Sequence, residues 1–266
     1  MDEPTDRPLI SLQVWSLQRA FFSGELDQLG MLRLCAEMGL SGFEMHNTLF
    51  PSPQYLYLRG FRAEAEQLGI RLLLILCDME GNLGAADREE RLQAAVNHRK
   101  WVDIAAVLGC QSIRCQVQGE DSDPAAMRER AAESLRSLLD YARGSGVRIL
   151  VENHGGLSSD PNWLVSLVKL VDNPQLGTQP DFGNFPKGTD WYKAVEKMMP
   201  YAGAVSAKCY DFDQDGNETT IDFARMMNIV RAAGYSGYVG IEYDGPRMPE
   251  REAVLAAKRL LERVLR

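Results

Sequence analysis

Tyr238-Val239-Gly240-Ile241-Glu242-Tyr243-Asp244, near the C-terminal end of the chain, alternates with a period of two. Side chains along a strand point to opposite faces in turn. Val239, Ile241 and Tyr243 therefore share one face, and Gly240, Glu242 and Asp244 share the other. The first face is apolar and the second ends in carboxylates. The same division recurs upstream. Ile149 and Val151 oppose Leu150, Glu152 and His154, and Ile113, Cys115 and Val117 oppose Arg114, Gln116 and Gln118. Val205 and Ala207 oppose Ala204, Ser206 and Lys208, while Ile10, Leu12 and Val14 oppose Ser11, Gln13 and Trp15. An open, doubly wound sheet buries both faces under helices and tolerates few of these charges. A closed (β/α)8 barrel accounts for them: its outer face packs under helices, and its inner face meets substrate at the C-terminal ends of the strands.

The rest of the chain fits that frame. Strands are expected at 10–15, 42–46, 71–76, 112–118, 148–153, 177–181, 204–209 and 238–243. Helices are expected near 25–39, 56–68, 87–108, 124–144, 160–171, 189–199, 219–233 and 249–265. Such alternation argues for parallel βα units. Met38-Gly39-Leu40, Leu68-Gly69-Ile70, Leu108-Gly109-Cys110 and Ala233-Gly234-Tyr235 place a helix-closing glycine before a strand. No linker or charge block divides the chain, so residues 1–266 are read as a single α/β domain, a TIM barrel. The 266 residues, 45% hydrophobic, supply one large core, and such a barrel takes roughly 250 residues.

The formal net charge of −8 repels phosphate backbones, and no Lys/Arg run offsets it, so a nucleic-acid partner is not expected. No apolar stretch reaches the roughly 20 residues of a membrane helix, and Met1–Pro8 lacks the order of a signal peptide. Five scattered cysteines without a CxxC pair suit reduced thiols in a cytoplasmic protein. Phosphate-binding glycine loops and a GxSxG elbow are absent.

The strongest chemical signal is Val151-Glu152-Asn153-His154-Gly155-Gly156, where Glu152 and His154 share a face at a strand end and two glycines leave room for a ligand beside the backbone. Asp181 follows in Pro180-Asp181-Phe182-Gly183-Asn184, and Glu242 ends the eighth strand. Three carboxylates converging from strands five, six and eight would resist ionisation together. A hard divalent cation relieves that repulsion.

These stretches, with Ala207-Lys208 and Gly234-Tyr235-Ser236-Gly237-Tyr238 leading into Ile241-Glu242-Tyr243, resemble the sugar phosphate isomerase/epimerase superfamily with the xylose-isomerase-like barrel. The resemblance spans nearly the whole chain. It implies metal ligands at Glu152, Asp181, Ser206 and Glu242. Ser206 stands where many relatives carry histidine, and Asn184 lies near a second missing histidine. Two arrangements follow. In one, Glu152, Asp181 and Glu242 hold the metal, with water or Ser206 completing the shell. In the other, the Lys208 ammonium neutralises the carboxylates and metal binding is weak or lost. Three carboxylates against one lysine leave negative charge, which favours the first. An all-oxygen shell favours Mg or Mn, with Zn as the alternative.

The resemblance further implies an isomerase or epimerase of a small polyhydroxylated carbonyl compound, a small-molecule carbohydrate, in which Glu152 and Glu242 move a proton through an enediolate. His154, Lys208, Gln116, Gln118, His46 and Trp15 are the candidate substrate contacts. For His46 a structural pair with Glu44 competes with that role, and Arg114 is expected to meet an acid deeper in the barrel. Phe21 and Phe22 are read as pocket wall or core, and His98 as structural. A lyase or dehydratase shares the same intermediate. A non-catalytic sugar-binding barrel is favoured by the missing histidine. The apurinic endonuclease branch of the superfamily, with its histidine-rich zinc site, is disfavoured by a chain with three histidines. Oligomeric state is open, a homo-oligomer included.

Overall fold

The computed structural model describes residues 8–119 and 121–266; the reading of residues 1–7 lies outside them. Eight parallel strands form the inner layer: β1 (Leu9–Gln13), β2 (Gly42–His46), β3 (Arg71–Cys77), β4 (Ser112–Cys115), β5 (Arg148–Glu152), β6 (Leu176–Gln179), β7 (Val205–Cys209) and β8 (Tyr238–Tyr243). Strands pair in parallel in sequence order from β1 to β6, and β8 pairs with both β1 and β7. Parallel bridges Thr178–Ala202 and Asp181–Ser206 join β6 to β7 and close the ring. Outside lie α1 (Gln18–Phe22), α2 (Gln28–Glu37), α3 (Tyr55–Gln67), α4 (Arg88–Leu108), α5 (Pro124–Ala142), α6 (Pro161–Val171), α7 (Trp191–Met198), α8 (Phe223–Ala232) and α9 (Glu250–Val264).

Six aspartates serve these helices as caps. Asp27, Asp87, Asp123, Asp160, Asp190 and Asp222 each stand just before a helix and accept a backbone N–H of its first turn. Such caps satisfy donors the helix itself leaves unpaired. At the other end, Gly109 closes α4 at φ +78°, a conformation glycine adopts without a Cβ penalty.

Strand boundaries differ from the sequence reading where ladder partners run out. β4 stops at Cys115 because β3 stops at its partner Cys77, so Gln116 and Gln118 continue beyond the strand. Trp15 sits in a 3-10 turn, Val14–Leu17, after β1. Asp181 stands past β6, held in the closing bridge. Helix α1 was not expected, since five residues are too few to show a helical period.

Parity separates two environments. Outward Ile113, Ile149, Val151, Val205, Val239 and Ile241 are fully buried in the main core beneath the helices. A smaller apolar cluster, Leu74, Leu76, Leu150 and Ala204, is separate from it. Beside it Glu44 accepts a 2.6 Å hydrogen bond from the Ser11 hydroxyl. The absence of a side chain at Gly240 makes room: a Cβ there would lie 2.6 Å from the Glu44 carboxyl carbon. Gly240→Ala should therefore cost about 1–3 kcal/mol by overpacking, read as a lower midpoint in chemical denaturation. An unchanged midpoint would mean that Glu44 relaxes freely.

Candidate active site

Glu152 ends β5, Glu242 lies in β8, and Asp181 is drawn inward by its bridge to Ser206 of β7. All three are buried, and one carboxylate oxygen of each lies within 4.8 Å of the other two. Asn153, next to Glu152, ties the Asp181 backbone to the end of β5. Its side-chain Oδ1 accepts the Asp181 N–H at 2.8 Å, and its side-chain Nδ2 donates to the Asp181 and Gly183 carbonyls at 3.1 Å. Of the two glycines after His154, Gly156 is required by the fold, while the space beside Gly155 is open. Gly156 has φ +57°, and a Cβ on it would fall 2.7 Å from the Gly119 carbonyl carbon, so two loops meet there backbone to backbone.

Two cations stand among the carboxylates. The Lys208 ammonium donates to Glu242 at 2.7 Å and lies 3.8 Å from Asp244. The Ser206 hydroxyl donates to the other Glu242 oxygen, also at 2.7 Å. Arg114 does not reach deeper into the barrel: its Nε faces Glu152 at 2.9 Å and its Nη1 meets Asp78 at 2.5 Å. The charge balance drawn from three carboxylates and one lysine therefore omits a cation. His46 likewise does not pair with Glu44. Its Nε2 lies 3.0 Å from Asp78, and its Nδ1 lies 2.8 Å from the Thr48 hydroxyl. His154 is met by the amides of Gln116 and Gln118, at 3.2 and 2.9 Å. Trp15 leans on the His46 ring with centroids 4.8 Å apart. His98 is buried in α4 against the Ala94 carbonyl, at 2.8 Å.

Burial sets the electrostatics and the cations redistribute it. Burial pushes the Glu152 carboxyl above its ordinary range, against the pull of Arg114. Burial also raises Asp181 well above its usual value, with Lys208 opposing and Glu242 and Glu152 reinforcing. Glu242 goes the other way: burial raises it, but Lys208 and the hydrogen bonds from Lys208 and Ser206 bring it down to about 2. The Asp78 carboxyl is held low, because the His46 bond and the Arg114 charge outweigh its burial.

Asp78 and Tyr210 were not singled out from sequence. Both continue the inward parity by one step, after Leu74 and Leu76 on β3 and after Ser206 and Lys208 on β7. The Tyr210 hydroxyl lies over Gly183, where a Cβ would be 2.5 Å from it, 3.3 Å from Lys208 Cγ and 3.4 Å from Asp181 Oδ1. Asn184 faces the Lys208 ammonium at 3.4 Å.

The donor set fits a small hard cation. Neither Glu152 oxygen accepts a hydrogen bond, nor does Asp181 Oδ2, although all are buried. Buried acceptors without donors are costly, and two such carboxylates with Glu242 beside them are the kind of oxygen donors that a hard ion would take.

A closed (β/α)8 ring with ionisable groups gathered inside the C-terminal ends of its strands is the arrangement of barrel enzymes. A family model described as xylose isomerase-like TIM barrel matches residues 32–264, and the chain belongs to that family. The solved 3-keto-D-glucoside 4-epimerase of E. coli superposes with a TM-score of 0.78 at 18% identity, over 97% of this chain and 100% of that one. The IOLI protein with a bound zinc atom gives 0.78 at 16% identity, over 97% and 98%. At those identities the likeness is one of fold. The C-glycoside deglycosidase alpha subunit of Arthrobacter globiformis is 40% identical over 48 residues, 18% of this chain. That match spans 14% of the relative's own length. No helix among the described residues is long and apolar enough to cross a membrane.

Proposed function

We propose that this chain is a sugar isomerase or epimerase acting on a small polyhydroxylated carbonyl compound by moving a proton on the carbon next to the carbonyl. The observation that carries the reading is the buried meeting of Glu152, Asp181 and Glu242 within 4.8 Å of one another. Family membership supports it, as does the fold likeness to the 3-keto-D-glucoside 4-epimerase.

The opposite displacements of two carboxyls supply an acid and a base, the usual signature of a paired assignment. Glu242, kept ionised by Lys208 and Ser206, accepts the proton from carbon. Glu152, whose affinity for a proton is raised by burial, is the group on the other side that returns one. The electron pair freed from the C–H bond moves into the carbonyl and gives an enediolate. Return of a proton from the other side inverts the carbon; expulsion of a β-hydroxyl instead makes the reaction a dehydration. Arg114 fixes Glu152 through its second contact on Asp78. Gln116, Gln118 and His154 offer hydroxyl-binding groups at the mouth. A divalent ion held by Glu152, Asp181 and Glu242 would supply polarisation of the carbonyl and its neighbouring hydroxyl.

A second reading has a specific observation behind it. Lys208 and Arg114 together place two positive charges against the three carboxylates, so binding of a metal would be weak and the cations themselves would stabilise developing negative charge. Calorimetric titration of chelator-treated protein with Mn2+ separates the two. One site that is lost in Asp181→Asn, with activity that depends on added Mn2+, supports the metal arrangement. No binding together with undiminished turnover in chelator supports the second.

A further inference from the structure

We propose that Tyr210 is a further catalytic residue, whose phenol O–H donates a hydrogen bond to the substrate's carbonyl oxygen as negative charge gathers there. The inference rests on the sugar-carbonyl reading of the site and adds the group that receives that charge. Tyr210 stands two residues after Lys208 and one past the end of β7. Its hydroxyl reaches the carboxylates. The volume that a Cβ on Gly183 would fill touches the phenol oxygen at 2.5 Å, the Lys208 stem at 3.3 Å and Asp181 Oδ1 at 3.4 Å. The missing side chain at Gly183 is what lets the phenol come so close to Asp181.

The ring is held there by its backbone. The Tyr210 N–H donates to Glu218 at 3.1 Å, and the same buried carboxylate accepts the N–H groups of Asp211, Thr220 and Ile221. On the other side Gly245 packs against the Tyr210 carbonyl, so closely that a Cβ on it would fall 2.7 Å from the carbonyl carbon. The half-buried ring leans on the main core. A donor fixed in advance needs no reorganisation when charge develops beside it.

The charged and hydroxyl donors around the carboxylates are already engaged. Lys208 and Ser206 donate to Glu242, and Arg114 is shared between Asp78 and Glu152. The Tyr210 hydroxyl, by contrast, donates to none of the described residues; burial and nearby charges alone act on it. Burial pushes the phenol up to about 12, with Asp181 adding to the push and Lys208 opposing it, so the O–H stays a donor at neutral pH. Loss of the carbon-bound proton to Glu242 leaves its electron pair in the new carbon–carbon double bond. The carbonyl π pair moves onto oxygen. Tyr210 bonds that oxygen and keeps its own proton, so the bond is stronger to the enediolate than to the ketone.

The test measures kcat and KM for deuterium exchange beside the carbonyl, on whichever ketohexose or methyl 3-keto-glucopyranoside the wild-type chain exchanges fastest. Tyr210→Phe keeps the ring and removes only the hydroxyl. It should lower kcat about a hundredfold, as loss of one such donor does, with KM changed by less than about threefold and the thermal midpoint unaltered. Gly183→Ala sets its Cβ against the phenol oxygen and should lower kcat in the wild-type background, yet add less than about twofold to Tyr210→Phe, where no hydroxyl is left to displace. An undiminished kcat in Tyr210→Phe, a rise in KM alone, or a fall in kcat that comes with a lowered thermal midpoint would overturn the role of Tyr210 and leave the sugar reading intact. Fully additive losses in the double variant would contradict the placement of the hydroxyl. No exchange on any of these sugars by the wild-type chain would overturn both readings.

Discussion

Glu152→Gln is expected to lower turnover on the true substrate by about a thousandfold, within the range that one general acid or base contributes. The substitution keeps the shape of the side chain and removes only its ability to carry the proton. Burial of the native carboxyl is what raises its affinity for that proton, and no neighbour stands ready to replace it: Asp181 is committed to the Gly183 N–H at 2.7 Å, and Glu242 to Lys208 and Ser206. Arg114 keeps its contact with Asp78, so the variant should fold. Circular dichroism and thermal unfolding check the fold, and the rate of substrate interconversion checks the loss. A wild-type rate in a folded Gln variant would reject the assignment of Glu152.

Stability should fall as pH rises from about 5 to about 8, and the cause should be Glu44. Burial raises its carboxyl from 4.5 to about 8, with the Glu242 and Glu152 charges adding to burial, and Ser11 and Gln13 opposing. Gly240 leaves the space and Leu74 is the partner across the β2–β3 ladder. In that window the folded chain holds a proton that the unfolded chain has released. The sign follows: this contribution is fully present below the unfolded value near 4.5 and is lost as pH rises through the folded value near 8. At about 1.4 kcal/mol per pH unit, the loss amounts to up to about 5 kcal/mol. Glu44→Gln keeps an oxygen for the Ser11 bond and cannot ionise, so its stability should fall less steeply with pH than that of the wild type, the raised Glu152 and Asp181 carboxyls remaining in both. Urea unfolding of both proteins at pH 5.5 and 8.5 measures this. Parallel pH dependence in the two would show that Glu44 carries its charge in the fold.

The barrel was legible because it repeats. Eight apolar-outward strands, each followed by an amphipathic helix, leave few other ways to bury those faces. Parity also placed Glu152, Lys208 and Glu242 inside. Three features escaped it for separate reasons. Asp78 and Tyr210 obey the same parity, but each lies one residue past the apolar run that marks its strand. The partners of Arg114 and His46 depend on distances across the ring: Asp78 is 36 positions from Arg114 and 32 from His46, and period-two alternation carries no information about such pairs. Helix α1 has no period to read, and its stability comes from Glu250, at the far end of the chain. Within the site, the acids were readable and their neutralising partners were only half readable. Lys208 shares a strand face with Ser206, whereas Arg114 gave no sign of which acid it would meet.

Deuterium exchange tests the central claim most directly. The chain, supplied with Mn2+ or Mg2+, is incubated in deuterated water with ketoses and 3-keto-glycosides, and proton NMR follows the hydrogen beside each carbonyl. Exchange at that hydrogen on at least one sugar, abolished in Glu242→Gln, is the expected result. Exchange that survives the Gln substitution, or carbon-bound hydrogens that stay protonated across the whole panel while the sugars demonstrably bind, would contradict it.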